Sequence, residues 1–264
     1  MKVNGVELVV RDNGGTGIPV LLIHGSLSKD FLLPVADELT ATGRFRVVSY
    51  ERRGYGHKMT GAISMKGQAA DASAVLLQLG ISKAHVFGHS TGGSIALQLA
   101  HQSPDQVASL SLGEPDLPIS HLPSAPEHEA GLRELAESYS SESKKEVLAG
   151  VCAWLHGPGF IEVFPPGMFD MAADDMEIFV KTELPAYLEW KFEPEAVKSM
   201  KMPVQVIYAE NTVKMSKETV DVIEQWNTQI AMVQIPGATH FFPITHPKDT
   251  AKAIADFAVA AQRG

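Results

Sequence analysis

Short apolar runs alternate with longer amphipathic stretches along most of this chain. Pro19 to Ile23 is continuously apolar, and Phe45 to Tyr50, Ala84 to Phe87 and Val107 to Leu112 are mainly apolar runs interrupted by single polar residues. The continuous run suits a strand buried on both faces, as in a parallel sheet, and the others read as its neighbours. Between them, Lys29 to Thr42 and Met65 to Leu79 read as amphipathic helices, the second closed by Gly80. A helix-like run, Ser94 to His101, follows the strand at Ala84. The rhythm resumes late, with strands at Pro203 to Tyr208 and Ile230 to Ile235 and helices at Ser216 to Trp226 and Pro247 to Gln262. Such alternation predicts an α/β fold, a mostly parallel sheet with right-handed crossovers and helices on both faces. At the start, Val3 to Arg11 reads as a small hairpin turning at Asn4-Gly5, followed by a polar loop over Asp12 to Gly17.

The stretch from Glu114 to Met202 breaks the pattern. It lacks strand periodicity, reads helical near Glu127–Ser138, Glu142–Leu155 and Met171–Trp190, and is rich in Pro, Met and aromatic residues. It predicts a helical cap (114–202) inserted into a core domain (1–113 and 203–264) and lying over the carboxyl edge of the sheet, where ligands bind in open α/β sheets. Most of its apolar residues read as the cap's own core. As a group they imply an apolar pocket, with Leu27, Trp154 and Trp190 as candidate lining residues.

Gly88-His89-Ser90-Thr91-Gly92-Gly93 reads G-x-S-x-G between a strand and a helix. That context fits a strained turn that lifts a serine above the sheet edge, with helix N-terminal N–H groups beside it. Ser90 is therefore the candidate nucleophile. An alcohol needs a base and a group to orient that base.

The 264 residues carry a net charge of −9, from 22 basic and 31 acidic side chains, with no basic cluster. Nucleic acid is thus an unexpected partner. Cys152 is the single cysteine, which leaves no internal disulfide. Met1 to Val10 lacks the length and apolar core of a signal peptide, and no apolar run reaches membrane-spanning length, so a cytoplasmic protein with no membrane partner is expected. No His/Asp/Glu cluster has metal-ligand spacing, and neither metal nor cofactor is expected. Glu51-Arg52-Arg53-Gly54-Tyr55-Gly56 does not match a phosphate-binding glycine pattern and reads as a structural loop with local ion pairs.

The elbow at Ser90, the strand-end His24-Gly25 and the late Gly237-Ala238-Thr239-His240, in that order, resemble the α/β-hydrolase superfamily over nearly the whole chain. The resemblance makes His240 the base, His24 and His89 motif neighbours, and the backbone N–H groups of Thr91 and Ser26 (with Leu27 as alternative) the oxyanion hole. The acid departs from the usual pattern. The loop after the strand at Pro203–Tyr208 reads Ala209-Glu210-Asn211-Thr212, with Thr212 where the family carries Asp. Some members place the acid after the sixth strand, and there this chain has Gly113-Glu114-Pro115-Asp116. Glu114, at the strand's end and biased by Pro115 towards extended geometry, is the first choice, with Glu210 second and Asp116 third. Glu114 in this position also resembles the layout of fungal lactonases that open the macrolactone of zearalenone. The resemblance implies a serine hydrolase of a small, largely apolar carboxylic ester or lactone, without a cofactor. Carbon–carbon bond hydrolases, hydroxynitrile lyases, cofactor-free dioxygenases and receptor-like binding proteins share the fold and remain alternatives.

Overall fold

The structure is a computed structural model and describes residues 1–56, 63–140 and 143–263. Nine strands occur among them: β1 Lys2–Val3, β2 Val6–Glu7, β3 Val10–Asp12, β4 Ile18–Ile23, β5 Phe45–Tyr50, β6 Ala84–His89, β7 Val107–Gly113, β8 Val204–Ala209 and β9 Ala231–Ile235. β3 to β9 form one seven-stranded sheet in the order β3-β5-β4-β6-β7-β8-β9. Every neighbour pair in it is parallel except β3 with β5. The main helices of the alternating pattern are α1 Leu33–Ala41, α2 Met65–Gln78, α3 Thr91–Gln102, α10 Lys214–Trp226 and α12 Pro247–Ala261.

Successive side chains of a strand point to opposite faces, and that splits the core into two. Val86 of β6 and Leu110 and Leu112 of β7 pack with α2, α3 and α10 on one face. Phe87 of β6, Val20 and Leu22 of β4 and Ile207 of β8 pack with α1 and α12 on the other. The chain therefore has the expected α/β architecture, a mostly parallel sheet flanked by helices.

Between β7 and β8 the described residues hold helices only: α4 Ala125–Ser138, α5 Lys144–His156, α6 Phe160–Val163, α7 Met168–Ile178, α8 Leu184–Glu189 and α9 Pro194–Lys198, with short 3-10 and π segments. Leu148, Cys152, Phe164, Met168 and Met176 close on one another and on Leu27, Phe31 and Phe241 from the sheet's carboxyl edge. This third cluster ties the insertion to the rest of the molecule. No helix of the described residues is long and apolar enough to cross a membrane.

Several expected boundaries move for identifiable reasons. The first hairpin is shorter than Val3 to Arg11, because Val10–Asp12 leaves it to pair with β5. Asn4 and Gly5 do form its turn, with φ of 44° and 82°. The helix predicted from Lys29 begins at Leu33, because residues 28–32 are taken up by turns such as Leu33 N–H to Asp30 O (3.0 Å). The helix predicted over Met171–Trp190 is α7, a π-helical segment at Phe179–Glu183, and α8. Pro185 has no N–H to continue the i to i−4 ladder, which accounts for the wider turn just before it. Glu142, the expected start of another helix, lies outside the described residues. The helices α6, α9 and α11 (Phe242–Thr245) span four or five residues each, too few for periodicity to reveal.

Candidate active site

Ser90 lies between β6 and α3 with φ 56° and ψ −131°, a conformation that is costly for a residue with a Cβ. The turn is held by Ser90 N–H donating to Gly113 O (2.8 Å) and Gly93 N–H donating to Ser90 O (2.7 Å). The glycines permit the close crossing. A Cβ on Gly88 would lie 2.1 Å from Gly92 O, and one on Gly92 would lie 2.1 Å from Ile23 O. Among the described residues, Ser90 Oγ engages no hydrogen-bond partner. Catalytic contacts of this type often tighten only once substrate is bound.

His240 follows β9 in a loop and is buried. Its Nδ1 lies 2.6 Å from Glu114 Oε2 and donates to it, which leaves Nε2 as the other ring nitrogen. Glu114 is fully buried at the end of β7. Its Oε1 accepts from Ala209 N–H (2.8 Å), and its own N–H donates to Ile207 O (3.0 Å). Glu114 reaches this position with φ 39°, a second strained residue. The alternatives are employed elsewhere. Glu210 Oε2 accepts from Gly237 N–H (2.7 Å), supporting the turn that leads to His240. Asp116 Oδ2 lies 3.0 Å from Thr91 Oγ1.

His89, the residue before the serine, donates from Nε2 to His240 O (3.0 Å) and stacks on Phe31. It thereby holds the loop that carries His240. His24 sits under the neighbouring loop, with Nδ1 donating to Gly25 O (2.7 Å) and Nε2 accepting from Arg52 N–H (3.0 Å). Burial holds both rings well below the ordinary histidine value of 6.5, so they are neutral at neutral pH. In the unfolded chain they regain a normal pKa and take up protons below about 6.5. Their contribution to stability is full above that value and falls as pH drops through it. A melting temperature clearly lower at pH 5 than at pH 7.5 is expected by calorimetry, and an unchanged one would contradict this accounting.

Ser26 and Leu27 follow β4, and Leu27 has φ 75°. The N–H groups of Ser26, Leu27 and Thr91 donate to no acceptor among the described residues, as an oxyanion hole requires. The Ser26 side chain enters a buried network that spacing did not reveal. Its Oγ lies 3.0 Å from Thr91 Oγ1 and 2.9 Å from Glu183 Oε2. Glu183, at the end of the π segment, also pairs with Arg52 and accepts from Tyr55 OH (2.6 Å). Arg52 in turn donates to Gly25 O (2.9 Å) and Gln68 Oε1 (2.6 Å). The loop expected to hold only local ion pairs thus sends Arg52 across 131 residues to the insertion. The other charges of the loop also find partners outside it, Arg53 with Asp71 (2.8 Å) and Glu51 with Lys29 (3.1 Å). Breaking a buried pair leaves an uncompensated charge. Glu183→Ala is expected to cost about 3–5 kcal/mol in urea unfolding, and Glu183→Gln less.

These residues surround a cavity of about 480 Å³. Ser26, Ser90, Thr91, Asp116, Glu183 and His240 are among its polar lining, and Leu27, Phe31, Leu135, Trp154, Phe179 and Met215 among its apolar lining. Glu127 and Lys214, which also line it, pair at 3.0 Å. Trp154 lines the cavity while remaining half exposed. Trp190 does not line it, contrary to expectation. It is buried against α3, with Nε1 donating to Gln98 Oε1 (2.8 Å) and its ring beside Phe192. An indole that finds both an acceptor and an apolar bed is satisfied in a core. Among the described residues, no group of three or more His, Cys, Asp or Glu is arranged to hold a metal ion.

Residues 20–253 match the profile described as the Alpha/beta hydrolase family. Among curated proteins, the chain is 34% identical over 113 residues to a protein of Caulobacter vibrioides named as a carbamate hydrolase, RutD. It is also 34% identical over 113 residues to a non-heme haloperoxidase of Rhodococcus erythropolis. The chain spans about two fifths of the length of these relatives, 41% and 40%. Solved structures resemble it over nearly its full length. A thermophilic esterase from Thermogutta terrifontis superposes with a TM-score of 0.80 at 23% identity, covering 96% of this chain and 93% of that one. An enol-lactonase from Burkholderia xenovorans LB400 superposes with a TM-score of 0.77 at 21% identity, covering 98% and 99%. At these identities the likeness is one of fold.

Proposed function

The chain belongs to the Alpha/beta hydrolase family, and from that premise we propose that it is a serine hydrolase of carboxylic esters or lactones with a Ser90–His240–Glu114 triad. Ser90 attacks the carbonyl carbon while His240 Nε2 takes its proton. Glu114 holds the imidazole through Nδ1 and balances the imidazolium that forms. The N–H groups of Thr91 and of Ser26 or Leu27 stabilise the tetrahedral oxyanion. Collapse expels the alcohol, protonated by His240, and leaves an acyl group on Ser90. Water activated by His240 then releases the acid. The chemistry uses three side chains and two backbone donors and calls on no cofactor.

One observation carries this reading: the 2.6 Å contact of His240 Nδ1 with a fully buried Glu114, in a cavity that Ser90 shares. The cavity's apolar lining supports a small, largely apolar substrate. Residues 114–202 are proposed to act as a cap over a core domain formed by 1–113 and 203–264. Intact mass after treatment with a small fluorophosphonate tests the reading. A single adduct is expected on the wild type and none on Ser90→Ala. Absence of an adduct from both would put the non-hydrolytic and receptor-like alternatives first.

A further inference from the structure

Three short oxygen–oxygen contacts run in line from Asp116 to Glu183. Asp116 Oδ2 to Thr91 Oγ1 is 3.0 Å, Thr91 Oγ1 to Ser26 Oγ is 3.0 Å, and Ser26 Oγ to Glu183 Oε2 is 2.9 Å. Each distance is that of a hydrogen bond and calls for one proton between its oxygens. The two hydroxyls bring two protons. Were both carboxylates ionised, one of the three contacts would set lone pair against lone pair. A third proton completes the line.

The two ends are unlike. Glu183 is ion-paired with Arg52, which stays charged, and it also accepts from Tyr55 OH (2.6 Å). The negative charge therefore belongs at that end. Asp116 has no such cation. The groups around it are Thr91 and Ser94 of α3, Glu114 at the end of β7, His240 after β9, Glu183 and Tyr187 of α8. Part of Asp116 opens onto the cavity. Burial pushes its carboxyl up from the usual range; His240 and the contact with Thr91 oppose that rise, and Glu114 and Glu183 add to it.

We propose that Asp116 is a neutral carboxylic acid in the resting enzyme, donating to Thr91, which donates to Ser26, which donates to Glu183. The inference rests on the hydrolytic reading of this site. It makes Asp116 a positioning residue. The proton fixes the direction of the whole line, and so locks the side chains of Thr91 and Ser26, whose N–H groups are the proposed oxyanion donors. It also leaves the developing oxyanion free of an adjacent unpaired negative charge, which would oppose it.

Infrared difference spectroscopy of the wild type against Asp116→Asn at pH 7.5, in light and heavy water, tests the proposal. The wild type is expected to show a deuterium-sensitive carbonyl band of a protonated carboxyl that the variant lacks. Asp175, whose carboxyl burial pushes up to about 6, is ionised at that pH and does not interfere. If no band is removed, the proposal is overturned. If the Asn variant does not fold, Thr91→Val, which cuts the line beside Asp116, is expected to shift the band, and an unmoved band overturns the proposal. Kinetics give a second readout. Asp116→Ala is expected to lower kcat for a neutral ester at least about tenfold, and Asp116→Asn to recover more than half of that loss on a logarithmic scale. A smaller recovery means that a carboxylate charge is what matters, and overturns the proposal. Failure of fluorophosphonate labelling in the wild type would overturn the hydrolytic reading instead, and the infrared result would stand apart from it.

Discussion

Alanine at Ser90 is expected to lower kcat/KM for a simple ester by about 10^4-fold or more, with a far-ultraviolet spectrum like that of the wild type. In the proposed mechanism the Ser90 Oγ forms the acyl bond, and the other members of a triad cannot replace it. Ser90 also sits at φ 56°, so stability and activity can be set against each other at this one position. Alanine retains a Cβ and keeps the strain. Glycine removes both the nucleophile and the strain, and Ser90→Gly is expected to be inactive and more stable than Ser90→Ala by about 1 kcal/mol or more. Steady-state kinetics and urea titration of the two variants check both statements. Turnover surviving either substitution would remove Ser90 from the mechanism.

Glu114→Ala is expected to cost about 10^3- to 10^4-fold in kcat, against less than about tenfold for Glu210→Ala. The difference follows from what each carboxylate touches. Glu114 accepts a hydrogen bond from His240 Nδ1–H at 2.6 Å, whereas Glu210 accepts one from the backbone N–H of Gly237. Removing Glu114 also strands the buried Ala209 N–H, so Glu114→Ala should be less stable than the wild type by about 1–3 kcal/mol. Glu114→Gln separates the two effects. The amide can still accept from Ala209 N–H, yet it carries no charge to balance an imidazolium. Its stability is expected to lie near that of the wild type while kcat stays low. The reverse order of Glu114 and Glu210 in stopped-flow or steady-state assays would move the acid to the later loop.

Much of the fold was legible because its signals are local. Apolar or mainly apolar runs mark β4, β5, β6, β7 and β8 to within a residue or two, and the spaced glycines around Ser90 mark the elbow. Glu114 could be singled out because Thr212 stands where a carboxylate is usual, and because Pro115 biases the residue before it towards extended geometry. The actual φ of 39° at Glu114 shows the limit of that argument, since a tertiary pairing with His240 and Ala209 overrode the local preference. Trp190 lies away from the cavity for a reason of the same kind. A large aromatic residue in a helical insertion has the same appearance in sequence whether its indole meets a cavity or Gln98. The partnership of Arg52 with Glu183 was beyond reach altogether, because a charge pair 131 residues apart leaves no periodic trace. Glu183 is one of several charged residues in its stretch, beside Glu177 and Lys181, and nothing in the sequence sets it apart.

That same pair makes the insertion and the sheet a matched set. Arg52 is almost wholly enclosed, and its charge is answered from the far side by a residue of the insertion. A chimera that received a foreign insertion without a carboxylate at this spot would leave a guanidinium buried and unanswered beside the loop that carries Gly25 and Ser26. Swapping specificity between members of this fold by exchanging the inserted helices would therefore succeed here only if Arg52 and Glu183 travelled together, or were replaced together by a neutral, well-packed pair.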